Sequence, residues 1–325
     1  MAEEKTRIEK EAILEVRNLK KYFKVGAGLL HAVDDVTFSI AKGTTLGIVG
    51  ESGCGKTTMG RTILRLVEPT SGEIIFDGQD VGKASPRAMK KLRTQMQLIF
   101  QDPFSSLNPR ITVSQAIEEA LKLTGRYKTE DERFQKILEL METVGLDERL
   151  INAYPHELDG GRRQRVGIAR ALAMEPKFIV CDEPVSALDV SIQAQILNIL
   201  RKLQRERGLT YMFITHDLSV VNYISDEIAV MYLGRVIEKA KTEELFARPL
   251  HPYTQALLSA LPIPSIHNRK ERILIKGEIT SPIDPKPCCR FAQRCEYCTL
   301  ECLEKEPPLV DIGNEHFVAC HKVQK

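Results

Sequence analysis

The residues with the clearest chemical potential are Gly50-Glu51-Ser52-Gly53-Cys54-Gly55-Lys56-Thr57-Thr58, which fit the pattern G-x-x-x-x-G-K-[ST]. Glycines at these positions let backbone N–H groups converge on phosphate oxygens, and a helix beginning at the lysine turns its positive end towards them. In such a loop Lys56 is expected to reach the β- and γ-phosphates of a nucleotide, and the Thr57 hydroxyl to ligate Mg²⁺. Cys54 reads as a small residue that fits the loop. A second centre is Asp182-Glu183, which follows the apolar run 178–181. Asp182 is expected to bind Mg²⁺ directly or through water, and Glu183 to polarise the water that attacks the γ-phosphate. A terminal Asp-Glu pair means little by itself, since strands often meet solvent in this way. Beside a phosphate loop it gains weight.

These groups need rigid elements to hold them. Short β-type runs are expected at 13–16, 37–40 and 45–49, the last ending in Gly50. A helix is predicted over 56–67, because Met59, Ile63 and Leu66 repeat at helical spacing. Another amphipathic helix is predicted over 131–145. The run 178–181 is uniformly apolar, as in a strand buried on both faces of a parallel sheet, and 210–214 repeats the pattern after Gly208. Alternating strands and helices imply an α/β fold with a mostly parallel sheet. Residues 103–165 are more polar and helical, which suggests an inserted helical subdomain, and 263–325 reads as a small separate extension rich in Pro and Cys.

Composition sets outer limits. The chain has 325 residues, 43% of them hydrophobic and 28% charged, with a net charge of +2. These values fit a globular protein with a substantial core, the net charge argues for no particular partner, and no long Lys/Arg run suggests a nucleic-acid binder. The first dozen residues lack the apolar core of a secretory signal, and no stretch approaches the ~18 apolar residues of a membrane span. A cytosolic protein attached to membranes only through partners is expected. Cys54 and Cys181 stand alone, whereas Cys288, Cys289, Cys295, Cys298, Cys302 and Cys320 crowd the C-terminal part. That clustering favours metal ligation over disulfides in such a chain.

The order of motifs over 12–262 resembles the ABC-transporter ATPase family. Gln101, in Phe100-Gln101-Asp102-Pro103, is similar to the family's Q-loop glutamine, which senses Mg²⁺ and nucleotide. Leu158-Asp159-Gly160-Gly161-Arg162 falls where the family keeps its signature L-S-G-G-Q, with Asp for Ser and Arg for Gln. Ser186-Ala187-Leu188-Asp189 resembles the D-loop, and His216 the switch histidine that contacts the γ-phosphate. Phe23 occupies the adenine-stacking position, with Tyr22 as the neighbouring alternative. The resemblance implies a RecA-like P-loop ABC ATPase core with an inserted helical subdomain. Catalysis would fall to Glu183, His216 and Lys56, and Mg²⁺ to Thr57, Gln101 and Asp182. It further implies a head-to-tail sandwich of two cassettes, in which Asp159, Gly160, Gly161, Arg162 and Asp189 serve the nucleotide at the shared interface.

Arg248-Pro249-Leu250-His251-Pro252-Tyr253-Thr254-Gln255-Ala256-Leu257-Leu258 resembles a segment of the oligopeptide/dipeptide importer subfamily. Lys276-Gly277-Glu278 and Ser281-Pro282-Ile283-Asp284-Pro285 then lead into the cysteines, as in that subfamily's C-terminal extension. The resemblance implies Cys289, Cys295, Cys302 and Cys320 as ligands of a [4Fe–4S] cluster. Zinc is the competing reading, from Cys295-x-x-Cys298 completed by Cys302, Cys320 or His321. The implied partners are a related ATPase, two membrane permeases and an extracytoplasmic binding protein, which would put the subunit at the cytoplasmic face of the cell membrane. A different class of function, a soluble ABC ATPase acting on nucleic acid or the ribosome, usually brings two cassettes or a long coiled coil. This chain has one cassette and no sustained heptads.

Overall fold

The computed structural model describes residues 11–102, 106–261, 272–277 and 281–324. Pro103, Glu278 and the expected boundary at 262–263 lie outside them. The first described elements form a long antiparallel hairpin, β1 (Ala12–Val25) and β2 (Gly28–Ala41), far longer than the short runs expected. Its polar positions, such as Lys20 and Lys21, break the alternation that marks a half-buried strand. Next come β3 (Thr45–Val49), the glycine loop and α1 (Lys56–Ile63). This helix ends one turn earlier than predicted. Arg65 takes a left-handed backbone (φ 50°), and Leu66, expected on the buried face, is exposed. The Arg65 guanidinium instead donates to the carbonyls of Val81 and Ala84.

β4 (Ser71–Phe76) and β5 (Gln79–Asp80) join the hairpin in an antiparallel sheet of order β2-β1-β4-β5, which the sequence reading did not anticipate. After α2 (Pro86–Gln95), β6 (Met96–Ile99) enters the main sheet. Further along come α3 (Val113–Thr124), α4 (Glu130–Thr143) and α5 (Gly160–Ala173). Thr112 with Gln115 and Thr129 with Glu132 close capping boxes on α3 and α4, pairing N–H groups that a helix start leaves unmet. Val113, Ile117, Leu121, Leu140 and Val166 from these helices share one core with Ile179 and Phe213 of the sheet.

The main sheet continues with β7 (Phe178–Asp182), α6 (Val190–Arg207), β8 (Thr210–Ile214), α7 (Leu218–Ile224), β9 (Glu227–Tyr232) and β10 (Arg235–Lys241). β9, β3, β8, β7 and β6 run parallel in that order. Every residue of β3, β7 and β8 is buried, which is why these segments are near-continuous apolar runs. The sheet is mixed, because β10 pairs antiparallel with β9. Beyond α8 (Thr242–Ala247) and α9 (Pro252–Ser259), the chain past 281 packs back on this body. Leu30 bridges Ile283, the Cys289 N–H donates to the Cys302 carbonyl, and α10 (Leu300–Glu304) follows. Then β11 (Val310–Asp311) and β12 (Phe317–Val318) extend the sheet past β10. Phe291 sits edge-on to Tyr232 and against Tyr253 and His251, so the C-terminal segment shares a core with α9. Among the described residues no helix is long and apolar enough to cross a membrane.

Candidate functional site

The glycine loop links the end of β3 to the start of α1 and depends on its glycines. Gly55 caps α1 at φ 105°, and a Cβ there would stand 2.0 Å from the Ala32 carbonyl oxygen. Gly50 is similarly tight, with the Met231 carbonyl oxygen 2.2 Å from a hypothetical Cβ. Lys56 is buried, and its ammonium donates to the carbonyls of Gly50 (2.8 Å) and Glu51 (3.0 Å). The Thr57 hydroxyl donates to Asp182 Oδ1 across 2.7 Å. Asp182 ends β7 and is buried; burial raises its pKa, opposed by the Thr57 hydrogen bond and the Arg61 guanidinium. Arg61 Nη2 lies 3.9 Å from Asp182 Oδ2, a pairing that sequence spacing did not reveal.

Glu183 has a left-handed backbone (φ 45°), and its N–H donates to the Ile214 carbonyl of β8. A non-glycine residue held in this region is sparsely populated and recurs at functional sites. Its Oε2 accepts from Gln101 Nε2 at 2.9 Å, and its Oε1 faces His216 Nδ1 at 3.3 Å. Gln101, Glu183 and His216, from three separate strand ends, thus meet at the Glu183 carboxylate. They line a cleft of about 790 Å³ together with Phe23, Leu30, Ala32, residues 52–58, Asp102, Ser186, Ala187 and Pro282. Phe23, rather than Tyr22, reaches this cleft. Tyr22 stacks on His31 at 3.8 Å and donates its hydroxyl to Asp34, which engages its ring elsewhere.

The signature residues Asp159, Gly160, Gly161 and Arg162 do not line this cleft. Asp159 caps α5: its Oδ1 accepts from the Arg162 N–H at 2.7 Å, and its Oδ2 lies 3.4 Å from Arg162 Nε. Asp189 stands at the start of α6 and makes no side-chain cap there.

A profile of the ABC transporter family matches residues 33–186, and one of the oligopeptide/dipeptide transporter C-terminal region matches 237–302. The oligopeptide transport ATP-binding protein AppF of Bacillus subtilis is 50% identical over 97% of this chain and 99% of its own length. A putative peptide import ATP-binding protein of Brucella ovis is 51% identical over 95% of this chain and 97% of its own length. The chain belongs to the ABC transporter family. It is an ABC ATPase of the branch that carries the oligopeptide/dipeptide C-terminal region. In three dimensions it is similar to a post-hydrolysis dimer of the ATP-binding cassette MJ0796 bound to ADP and Pi, with TM-score 0.66 and 33% identity over 70% of this chain and 98% of that one. CbiO1 of Clostridium perfringens, part of an ABC transporter complex, gives TM-score 0.65 at 32% identity over 73% of this chain and 92% of its own.

Other contacts on the cassette were not foreseen. The Glu51 N–H donates to the Tyr253 hydroxyl, and Arg294 pairs with the Glu51 carboxylate. Pro282, read only as part of a subfamily motif, lines the cleft. The expected metal centre fares differently. Among the described residues, no three His, Cys, Asp or Glu side chains form a group able to hold a metal ion, so neither the zinc set nor the iron–sulfur set finds direct support in this arrangement. The described cysteines are all free thiols. Burial pushes the Cys289 thiol up to about 12, with Cys302, Cys320 and Cys295 near enough to add to the shift.

Proposed function

We propose that this ABC ATPase binds MgATP in the cleft between the glycine loop and Glu183, and powers uptake of di- or oligopeptides through membrane permeases. The observation that carries the reading is the convergence of Gln101 and His216 on the Glu183 carboxylate, beside Lys56 and Thr57. Thr57, Asp182 and Gln101 offer hard oxygen donors that suit Mg²⁺, and they would hold it. When bound, Mg²⁺ supplies charge neutralisation on the phosphate oxygens. Glu183 accepts the proton of the attacking water, His216 holds the γ-phosphate side, and Phe23 stacks on the base. Residues 12–262 form the ATPase domain, with 103–165 as its helical subdomain and 263–325 as the C-terminal extension.

The start of α5 presents Asp159 to Arg162, and the start of α6 presents Asp189, to a second cassette, and a related ATPase completes the pair. Two permeases and an extracytoplasmic binding protein form the rest of the assembly, which holds this subunit at the cytoplasmic face of the membrane. Support for the peptide cargo comes from AppF and the Brucella relative. Co-purification with the permeases, and peptide-stimulated ATPase that Lys56→Ala removes, test the reading. Recovery with nucleic acid or ribosomes instead would overturn it.

We propose further that the extension carries a [4Fe–4S] cluster on Cys289, Cys295, Cys302 and Cys320, whose side chains must reorient to hold it, since as arranged they form no metal-holding group. Its support is the donor chemistry. These are soft thiols, and backbone groups of Phe291, Tyr297, and Lys322 with Val323 hydrogen-bond to Cys289, Cys295 and Cys320 respectively. Anaerobic preparation should give broad absorption near ~400 nm and acid-labile sulfide. Colourless protein with stoichiometric zinc would sink this assignment.

A further inference from the structure

Glu51, the second residue of the glycine loop, is fastened at three points. Its carbonyl accepts from Lys56 at 3.0 Å, and its N–H donates to the Tyr253 hydroxyl at 2.9 Å. Its carboxylate is gripped by Arg294 through two parallel contacts, Nη1–Oε2 at 2.9 Å and Nη2–Oε1 at 3.3 Å. This two-pronged geometry fixes direction as well as distance. The remaining arginine contacts leave the guanidinium little freedom. Nε donates to the Lys276 carbonyl at 3.3 Å, Nη1 also reaches the Tyr232 hydroxyl at 3.3 Å, and the group lies 5.9 Å from the Tyr232 ring centre. The Arg294 side chain is 10% exposed and Glu51 23%, so water screens the pair less than it would at an open surface.

A carboxylate in a loop that wraps a polyanionic nucleotide works against binding unless a cation neutralises it. No residue of the loop itself does this for Glu51, because the Lys56 ammonium lies on main-chain carbonyls. The neutralising cation comes from 243 residues further along the chain. Arg294 is supported from below by the aromatic group of Tyr232, Tyr253 and Phe291, in which Tyr253 also holds the Glu51 N–H. The C-terminal segment and α9 therefore act on the same loop residue from two sides.

We infer that Arg294 is a positioning residue for MgATP: it neutralises and orients Glu51, so that the C-terminal segment sets the nucleotide affinity of the glycine loop. The inference rests on the reading of that loop as the ATP site. Calorimetric titration of the full-length chain with MgATP, with a thermal melt of each variant, tests it. Arg294→Met should weaken binding about tenfold, and Arg294→Lys, which keeps the charge without the fork, by about threefold. Glu51→Gln and the double variant Glu51→Gln/Arg294→Met close a cycle, in which the double should bind no worse than the weaker single. Melting temperatures that fall while MgATP affinity stays at the wild-type value would reduce Arg294 to a structural tie and overturn the inference, as would additive losses in the cycle. Should Arg294→Met fail to fold, the same cycle run with Arg294→Lys decides. Lys56→Ala separates failure of the loop as the ATP site from failure of Arg294 as its positioning residue. Undiminished binding in that variant sinks the loop reading, whereas a Lys56 effect without an Arg294 effect sinks only this inference.

Discussion

Gln101 Nε2 donates to Glu183 Oε2 at 2.9 Å, joining the end of β6 to the end of β7 across the candidate catalytic cleft. The contact holds the carboxylate from one side while His216 faces its other oxygen.

Glu183→Gln keeps the shape of the side chain but removes its capacity to accept a proton. MgATP binding should persist, and single-turnover hydrolysis at this subunit's own site should fall by about 10²–10⁴-fold. An unchanged single-turnover rate would take Glu183 out of the catalytic role.

Gly55→Ala should abolish nucleotide binding. The residue sits at φ 105°, and the new Cβ would meet the Ala32 carbonyl oxygen at 2.0 Å, a backbone obstacle that cannot swing aside. The loop must then rearrange, and a melting temperature unresponsive to added MgATP is the expected readout. Normal nucleotide stabilisation of the variant would contradict this view of the loop.

The two ATP sites of an assembled pair should be unequal. Asp159 caps α5 with its carboxylate, at the helix end that would meet the γ-phosphate held by a facing cassette. A serine there donates a hydroxyl, whereas a carboxylate offers only acceptors. At ~4 Å in a partly buried interface the repulsion amounts to several kcal/mol before relaxation. Arg162 offsets part of it from 3.4 Å. In the proposed pair the signature serves the opposite cassette, so Lys56→Ala should remove most ATPase activity of the complex, and the matching change in the partner should remove little. Asp159→Ser, which retains a capping oxygen, should revive the weak site. The opposite ranking of the two lysines would reject the idea.

His251 supplies the pH dependence. It is buried under Phe291, and burial lowers its pKa to about 4 from 6.5, with Glu238 opposing the shift. The folded state therefore binds this proton less readily than the unfolded chain. The stabilisation is complete above about pH 6.5 and is lost as the pH falls towards about 4, amounting to about 2 kcal/mol by pH ~5. Urea unfolding at pH ~7 and ~5 should show this loss in the native chain. In His251→Asn, which keeps an acceptor for the Tyr253 N–H, the dependence should be flatter by that amount. Equal slopes would show that His251 titrates normally.

The glycine loop and the Asp182–Glu183 pair could be read from the residues alone. Their chemistry depends on local backbone and on strand ends, and an apolar run closed by charged residues records both. Gln101, His216 and the signature were legible through their order along the chain, because each is tied to a particular strand or helix end. The early stop of α1 was not legible, since the apolar spacing runs on through Leu66 while the backbone turns at Arg65. Nor was the choice between Phe23 and Tyr22, which only the stacking on His31 and the hydrogen bond to Asp34 decide. The grip of Arg294 on Glu51 lay furthest from reach. An ion pair spanning 243 positions leaves no periodic trace, and it exists only because β9, α9 and the C-terminal segment are folded onto one another. Sequence by itself determined which groups could do the chemistry; tertiary structure decided which of them are held, and by what.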